Sequence, residues 1–179
     1  MPIPLAVLIL YFAEIRIELL MAGSLFVVLG EALRLNGVRY AGGETRTRKV
    51  GASSLCTSGP FAYVRNPLYL GNVIIYSGMV LIAGGEHVWL FLPVTLAFFS
   101  IQYGLIISLE EETLLRKFGE DYQEYRLSVP RLFPRLSPWM GGSNTTPVTL
   151  SQTVRTEKRT LQVIGGFLSL LVIRIILLS

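Results

Sequence analysis

The chain has 179 residues, of which 51% are hydrophobic and 16% are charged, and its formal net charge is +4. Soluble domains carry about 25% charged residues, and the mean hydropathy here is +0.54. This composition excludes intrinsic disorder and a collagen-like fibre, and the single Cys56 excludes a disulfide-stapled module. Residues 66–85 and 87–109 contain no Asp, Glu, Lys or Arg, and each run is long enough to cross about 30 Å of hydrocarbon as a helix. The sequence therefore predicts an integral membrane protein embedded in a lipid bilayer.

The basic residues are unevenly distributed along the chain. Of the 16, six lie within residues 34–65 and eight within residues 116–159, whereas the connection 84–88 holds only Glu86 and His87 as ionisable groups. The positive-inside rule places both long basic loops in the cytoplasm, and anionic lipid headgroups explain their charge without nucleic acid. We expect no nucleic-acid partner, and the compact chain suggests the inner membrane of a prokaryotic cell.

The N-terminal region allows two interpretations. Residues 1–13 are apolar but short, and they lack the positive segment and cleavage site of a signal peptide. Glu14, Arg16 and Glu18 follow, before a second apolar stretch over residues 19–35. We favour a short first helix and a full second one, with a single long helix as the alternative. Residues 36–65 are predicted to form a polar loop.

A helical hairpin is predicted next. The third helix runs over residues 67–83, and the Gly84-Gly85 turn leads to a fourth helix over residues 88–109, which we expect Pro93 to kink. His87 is interpreted as an interfacial residue. The two arms of this hairpin begin and end at the same membrane face.

The rest of the chain changes character after Leu109. Residues 110–128 are amphipathic and predict a cytoplasmic continuation of the fourth helix at the membrane surface. Three prolines then end the helix, and residues 139–160 are rich in Ser, Thr and Gly, which is typical of a flexible linker. Residues 161–179 predict a fifth span, in which Arg174 lies close enough to the end to snorkel. The predicted fold is all-α, with about five transmembrane helices.

Two segments could carry chemistry. The first, GPFAYVRNPLYLG, covers residues 59–71. Asn66 followed by Pro67 is typical of a helix N-cap with proline at the first position, and a glycine at position 71 would let another backbone come close. Capping explains those residues but not the polar and aromatic side chains crowded at the same junction, which are Tyr63, Arg65 and Tyr69.

The second segment begins with the adjacent carboxylates Glu110 and Glu111, where the fourth helix leaves the hydrocarbon. Neighbouring like charges there are unfavourable. They are explained either by simple solvation at the helix exit or by a cationic or hydroxyl-rich ligand, to which Tyr122, Tyr125 and Arg131 would add aromatic faces and a guanidinium group. Because the hairpin returns both segments to one membrane face, we expect them to be neighbours. One His and one Cys do not suffice for a metal site, and none is predicted.

These two segments, in this order and separated by one hairpin, resemble the signatures of small integral-membrane methyltransferases. The first resembles GPYRYVRHPxYxG, and residues 110–134 resemble the Glu pair, LxxxFGxxYxxY and VPRxxP of the isoprenylcysteine carboxyl methyltransferases and their bacterial relatives. These enzymes share a superfamily with phospholipid methyltransferases. The resemblance covers about residues 34–134.

The resemblance implies S-adenosylmethionine as methyl donor, bound in a pocket at the cytoplasmic membrane face, and a lipophilic acceptor. On this resemblance we assign residues 1–138 to a methyltransferase core, whereas the linker at 139–160 and the C-terminal transmembrane helix at 161–179 fall outside it. Arg65 and Asn66 would have positioning roles in catalysis, although Asn66 stands where most members have His and cannot titrate near neutral pH. The implied cofactor-binding residues are Arg65, Asn66, Pro67, Tyr69, Gly71, Glu110, Glu111, Tyr122, Tyr125 and Arg131.

Two other functions remain open at this point. Some NADPH-dependent membrane reductases of the sterol or enone type resemble the first segment, but the Glu pair disfavours an anionic dinucleotide. A non-catalytic membrane scaffold is the other alternative. The acceptor and its reacting atom are not specified by the sequence.

Overall fold

A computed structural model describes residues 3–42, 54–142 and 145–178. These residues form an all-helical structure, with short 3-10 turns at Gly59–Ala62 and Gly85–His87. The basic residues Arg46, Arg48 and Lys49 of the predicted cytoplasmic loop lie outside the described residues. The five helices are α1 (Ile3–Tyr11), α2 (Ile17–Ala41), α3 (Pro67–Gly84), α4 (Val88–Ser128) and α5 (Leu150–Leu178).

The N-terminal region forms two helices, as the favoured interpretation predicted. The charged cluster separates them, and the backbone N–H of Glu14 donates to the Ala83 carbonyl at the end of α3. Arg16 pairs with Glu86 in the following turn at 2.6 Å. α2 continues to Ala41, so the first residues of the predicted polar loop are helical, and Gly42 ends the helix in the left-handed conformation with φ +66°.

Glycines bring α2 and α3 into close contact. Gly23, Gly30 and Gly37 recur every seven residues on α2, and Gly71 and Gly78 do so on α3. A Cβ atom on Gly23 would lie 2.5 Å from the Gly78 carbonyl oxygen, and one on Gly71 would lie 2.9 Å from that of Gly30. Small residues at such spacing let helix backbones approach closely. This glycine seam therefore sets the distance between the two helices.

The apolar core lies between α1, α3, α5 and the start of α4. Its buried members come from all four helices, and they include Ile9, Ile75, Met79, Phe91, Phe167 and Leu171. Arg174 of α5 donates to the Tyr11 carbonyl at 3.2 Å. α5 is thereby attached to the end of α1.

α4 contains a break in its amphipathic part. Pro93 lies inside the helix, and the residue with non-helical backbone dihedrals is Gly119, at φ +54° and ψ −122°. Glycine has no Cβ and adopts positive φ at little cost, so the direction of α4 changes there, within the amphipathic part.

The predicted linker is also shorter than expected, because α5 begins at Leu150. Thr149 Oγ1 accepts a hydrogen bond from the Gln152 backbone N–H at 3.4 Å, an arrangement related to a capping box. The Glu157 side chain is fully buried and bound to Arg34 of α2. Residues 150–160 are therefore held as helix by tertiary contacts that composition does not reveal.

Among the described residues, two helical stretches are long and apolar enough to cross a membrane. One is Pro67–Ser128, which contains α3 and α4, and the other is Leu150–Leu177. Most of the residues in these stretches are not buried inside the protein.

Candidate active site

A cavity of about 370 Å³ lies where the end of α2, the start of α3 and the middle of α4 meet residues 54–66. Sites for small organic molecules usually measure about 300–1,000 Å³, so this cavity can hold one. Its polar lining includes Arg34, Tyr40, Cys56, Arg65, Asn66, Tyr69, Asn72, Glu110, Glu111, Tyr122, Tyr125 and Thr145.

The two motifs are neighbours, and backbone hydrogen bonds join them. The N–H of Arg65 donates to the Pro130 carbonyl at 2.9 Å, and the N–H of Arg135 donates to the Tyr63 carbonyl at 3.0 Å. The N–H of Trp139 reaches the Ala62 carbonyl at 2.9 Å. The proline-rich segment after α4 therefore lies along the 59–66 segment.

Glu111 is the centre of an ion-pair cluster. Its Oε1 accepts from Arg65 at 2.9 Å and from Arg131 Nε at 3.1 Å, and its Oε2 accepts from the Arg131 terminal nitrogen at 2.6 Å. Arg65 also donates to the carbonyls of Arg126 and Val129, each at 2.6 Å. The cluster ties the first motif to the turn that follows α4.

The Glu111 carboxylate is stabilised in its ionised form. Burial raises the pKa of this carboxyl, but the hydrogen bonds and charges of Arg131 and Arg65 outweigh burial and leave the pKa below its usual value. Glu111 is therefore an anion whose two oxygens are already bound by protein cations.

Glu110 has different surroundings. Its Oε1 accepts a hydrogen bond from the Tyr69 hydroxyl at 2.7 Å, and no Arg or Lys pairs with it within the part of the chain that the structure describes. Burial raises the pKa of the Glu110 carboxyl, and the hydrogen bond from Tyr69 offsets part of the rise. Of the two adjacent carboxylates, Glu110 is the one that can receive an external cation.

Asn66 does not act as the predicted side-chain cap. It stands at the N-cap of α3, but its side chain makes no capping hydrogen bond. Instead, its Nδ2 donates to the Arg131 carbonyl at 3.0 Å. The amide is turned toward the proline-rich segment after α4 (the post-α4 segment), because that segment offers a carbonyl acceptor. Asn66 therefore reinforces the contact between the motifs.

Tyr122 and Tyr125 form the wall beneath the proline-rich segment. Both side chains are buried and pack with Val129, and the Tyr125 hydroxyl donates to the Phe61 carbonyl at 2.8 Å. Burial raises the pKa of Tyr122 to about 12, so the hydroxyl is neutral at physiological pH. The two rings lie at an edge-to-face angle, with centroids 6.1 Å apart.

The structure brings eight of the ten implied binding residues to the cavity and leaves two outside its lining. Gly71 packs against α2, where a Cβ would meet the Arg34 side chain at 2.5 Å. Arg131 binds Glu111 but is not among the residues that line the cavity. The eight lining residues are Arg65, Asn66, Pro67, Tyr69, Glu110, Glu111, Tyr122 and Tyr125.

Sequence reasoning missed other lining residues, chiefly Arg34, Tyr40, Cys56 and Asn72. Arg34 interrupts an apolar stretch and stands four residues after Gly30 of the glycine seam, which was the available signal that it faces α3. Cys56 donates weakly to the Tyr40 carbonyl at 3.3 Å, and burial raises the pKa of its thiol, which keeps it protonated. In the described ranges, no group of three or more His, Cys, Asp or Glu side chains is placed to hold a metal ion.

Comparison with known proteins gives consistent similarities. The family model for phospholipid methyltransferases matches residues 9–121. The chain is 33% identical over 123 residues to the nickel-cobalt-cadmium resistance protein NccN of Alcaligenes xylosoxydans xylosoxydans, covering 69% of this chain and 53% of that protein. It is 33% identical over 114 residues to the protein-S-isoprenylcysteine O-methyltransferase of Schizosaccharomyces pombe, covering 61% of this chain and 47% of that protein.

A third relative is methanethiol S-methyltransferase 2 of Bradyrhizobium diazoefficiens, 29% identical over 102 residues, which cover 57% of this chain and 37% of that protein. The chain spans about half the length of the first curated relatives it matches. No solved structure matches it significantly.

Proposed function

This chain belongs to the phospholipid methyltransferase family, and on that premise we propose that it transfers a methyl group from S-adenosylmethionine to a lipophilic acceptor. Relatives named as methyltransferases support methyl transfer as the reaction. The observation that carries the proposal is the cavity itself, because both signature motifs contribute to its wall.

The residues present fit the donor. S-adenosylmethionine combines a sulfonium and an ammonium cation with a carboxylate, a ribose and an adenine. Glu110 is a half-buried carboxylate without a cationic partner in the described structure, so it suits the ammonium group or the ribose hydroxyls. Tyr122, Tyr125 and Phe61 supply aromatic surface beside it, and aromatic faces attract cations.

The geometry changes how the motif residues would act. Since both oxygens of Glu111 are bound by Arg65 and Arg131, these three form an internal cluster rather than separate ligands for the donor. Arg65 and Asn66 would act by position, because each holds the post-α4 segment against the cavity. A segment held in this way excludes water and keeps the cavity in shape.

Bound S-adenosylmethionine supplies an already activated methyl group, so transfer depends on alignment and desolvation more than on a strong acid or base. Glu110 and Tyr69 would orient the donor from α4 and α3, and the ion-pair cluster would keep that wall rigid. The acceptor would approach from the apolar side of the cavity.

We also propose that the helices cross a bilayer, with the cavity at the cytoplasmic face. Large apolar side chains such as Leu25, Ile101 and Leu105 are exposed along α2 and α4, which suits contact with lipid. The cavity lies at the end of the hairpin opposite Arg16 and Arg174, near most of the other described basic residues. The positive-inside rule assigns the more basic end to the cytoplasm. A lipophilic acceptor could then enter from the membrane.

Isothermal titration calorimetry on the detergent-purified full chain tests this function. We expect saturable binding of S-adenosylmethionine and of S-adenosylhomocysteine to the wild-type chain. In Glu110→Gln, the affinity for S-adenosylmethionine should fall about tenfold, because one charge-assisted hydrogen bond to the donor is lost. Glu112→Gln, an exposed neighbour paired with Arg116, is the matched control. Binding of NADPH in place of both ligands would assign the site to a reductase, and absence of all binding would contradict the proposal.

A further inference from the structure

Arg34 is a cation in the cavity wall that belongs to neither motif. Its guanidinium group donates to Asn72 Oδ1 at 2.6 Å and to the Leu68 carbonyl at 3.1 Å, both on α3. It also donates to the two carboxylate oxygens of Glu157 on α5, at 2.8 and 3.1 Å. Arg34 therefore joins three helices at the edge of the cavity.

This ion pair is almost completely buried. The side chains of Arg34 and Glu157 are 8% and 0% exposed. A buried charge is tolerated when it is paired and hydrogen-bonded, and removing one partner leaves the other charge uncompensated. Glu157 is thus required to keep a positive charge at this position.

The carboxylate comes from outside the part of the chain that matches the family. The match ends at residue 121, whereas α5 begins at Leu150. The Arg34 Nε atom is buried and has no hydrogen-bond partner among the described residues. One donor of the guanidinium group is therefore not used by the protein.

We propose that Glu157 is a positioning residue of the donor site, which fixes Arg34 in the cavity wall and cancels its positive charge. This inference rests on the proposed S-adenosylmethionine site. An unpaired guanidinium group in the wall would repel a sulfonium cation, whereas a neutral Arg34–Glu157 pair presents only a hydrogen-bond donor. α5 is then part of the site and not only a membrane anchor.

The charge difference between two ligands isolates this effect. S-adenosylhomocysteine lacks the sulfonium charge of S-adenosylmethionine but keeps the other polar groups. At an effective dielectric constant of about 20, one unit charge roughly 10 Å away changes the affinity of a cation by about tenfold or slightly more. The ratio of the two affinities should change by that factor. A general loosening of the cavity would instead weaken the binding of both ligands and leave the ratio unchanged.

The test measures both affinities by calorimetry in Glu157→Gln, Arg34→Gln and the double variant of the full chain. We expect the S-adenosylmethionine preference to fall about tenfold in Glu157→Gln, because Arg34 is then unpaired. It should rise in Arg34→Gln, because this change removes the positive member of the pair, and it should return close to the wild-type value in the double variant, which restores the net charge of the pair. Glu86→Gln, in the exposed pair with Arg16, is the control and should leave the ratio unchanged.

Opposite shifts in the two single variants support the proposal. An unchanged ratio in both, or shifts in the same direction, would overturn it while leaving the donor site itself intact. If Glu157→Gln does not fold, Arg34→Gln and the charge-neutral double variant decide the matter through the same ratio. Failure of the wild-type chain to bind either ligand would overturn the proposed function and this inference together.

Discussion

The Tyr69 hydroxyl, on the first turn of α3, donates a 2.7 Å hydrogen bond to Glu110 Oε1 on α4. The two residues come from different motifs, and both line the cavity. Their contact orients the carboxylate that lacks a cationic partner in the described structure. Substitutions at this pair therefore test the proposal that the cavity binds a cationic donor.

Replacing Tyr69 with Phe should weaken S-adenosylmethionine binding by up to about tenfold, because Glu110 loses the hydrogen bond that fixes the position of its carboxylate. The ring and its packing against Tyr103, with centroids 4.8 Å apart, are kept. Calorimetry measures the change, and Tyr63→Phe, at a tyrosine outside the cavity lining, serves as the control. Equal affinities in the Tyr69 variant and the wild type would show that Glu110 is oriented without this bond.

As the pH is lowered, the affinity for S-adenosylmethionine should begin to fall while the pH is still above 4.5, which is the usual pKa of a Glu side chain. Burial raises the pKa of Glu110, so this carboxylate takes up a proton earlier than an exposed one and then no longer attracts an ammonium group. Tyr69→Phe should move the decline to higher pH, because the hydrogen bond that lowers this pKa is removed. Calorimetry over a pH series tests both statements. The Glu110→Gln variant should not show this pH-dependent loss of affinity.

Replacing Glu111 with Gln should destabilise the protein by about 3–5 kcal/mol, because the buried Arg65 then loses its anion. The partly exposed Arg131 loses its partner as well. Glu112→Gln is the matched control, since that carboxylate is exposed and surface pairs contribute about 0–1 kcal/mol. Thermal unfolding in detergent followed by circular dichroism measures the difference. Equal melting temperatures for the two variants would contradict the central role of Glu111.

The Glu111 carboxylate should also make the stability of the protein depend on pH. Its folded pKa lies below the usual value of 4.5, so its contribution is complete above that pH and is lost as the pH falls through the folded pKa. Melting temperatures between neutral and acidic pH should therefore fall in the wild type, with a smaller fall in Glu111→Gln. Parallel curves for the two proteins would assign acid sensitivity to other groups.

The glycine seam predicts opposite effects for two Gly→Ala substitutions. In Gly23→Ala, the new Cβ would lie 2.5 Å from the Gly78 carbonyl oxygen, so α2 and α3 must separate and stability should fall by about 1–3 kcal/mol. In Gly104→Ala, nothing lies within 4 Å of the new atom, and helix propensity should add about 1 kcal/mol. Melting temperatures of the two variants measure the contrast, and equal changes would exclude close packing at the seam.

Much of the helical architecture follows from local pattern. The uncharged runs, the Gly84-Gly85 turn and the prolines after α4 predict α3, α4 and the end of α4, and these predictions are confirmed. Expectations based on single residues were less reliable. Asn66 was expected to form a local cap, but its side chain donates across the motifs.

The candidate site was predictable where its residues lie within the two motifs. The hairpin returns both segments to one end of the molecule, so proximity of Arg65 to Glu111 follows from topology. Their division of roles did not follow, because adjacent carboxylates look equivalent in a sequence. Only the contacts distinguish Glu111, bound by two guanidinium groups, from Glu110, bound by one hydroxyl.

The sequence by itself determined the hydrophobic periodicity, the hairpin, the charge asymmetry and the resemblance carried by the motifs, because each depends on residues close together along the chain. The tertiary structure alone decided that Arg34 meets Glu157, since these residues are 123 positions apart. Such a pair forms only when glycine packing sets the α2–α3 distance and α5 returns beside it. Burial then makes the pairing strong, because a charge taken out of water is stable only beside its counter-charge.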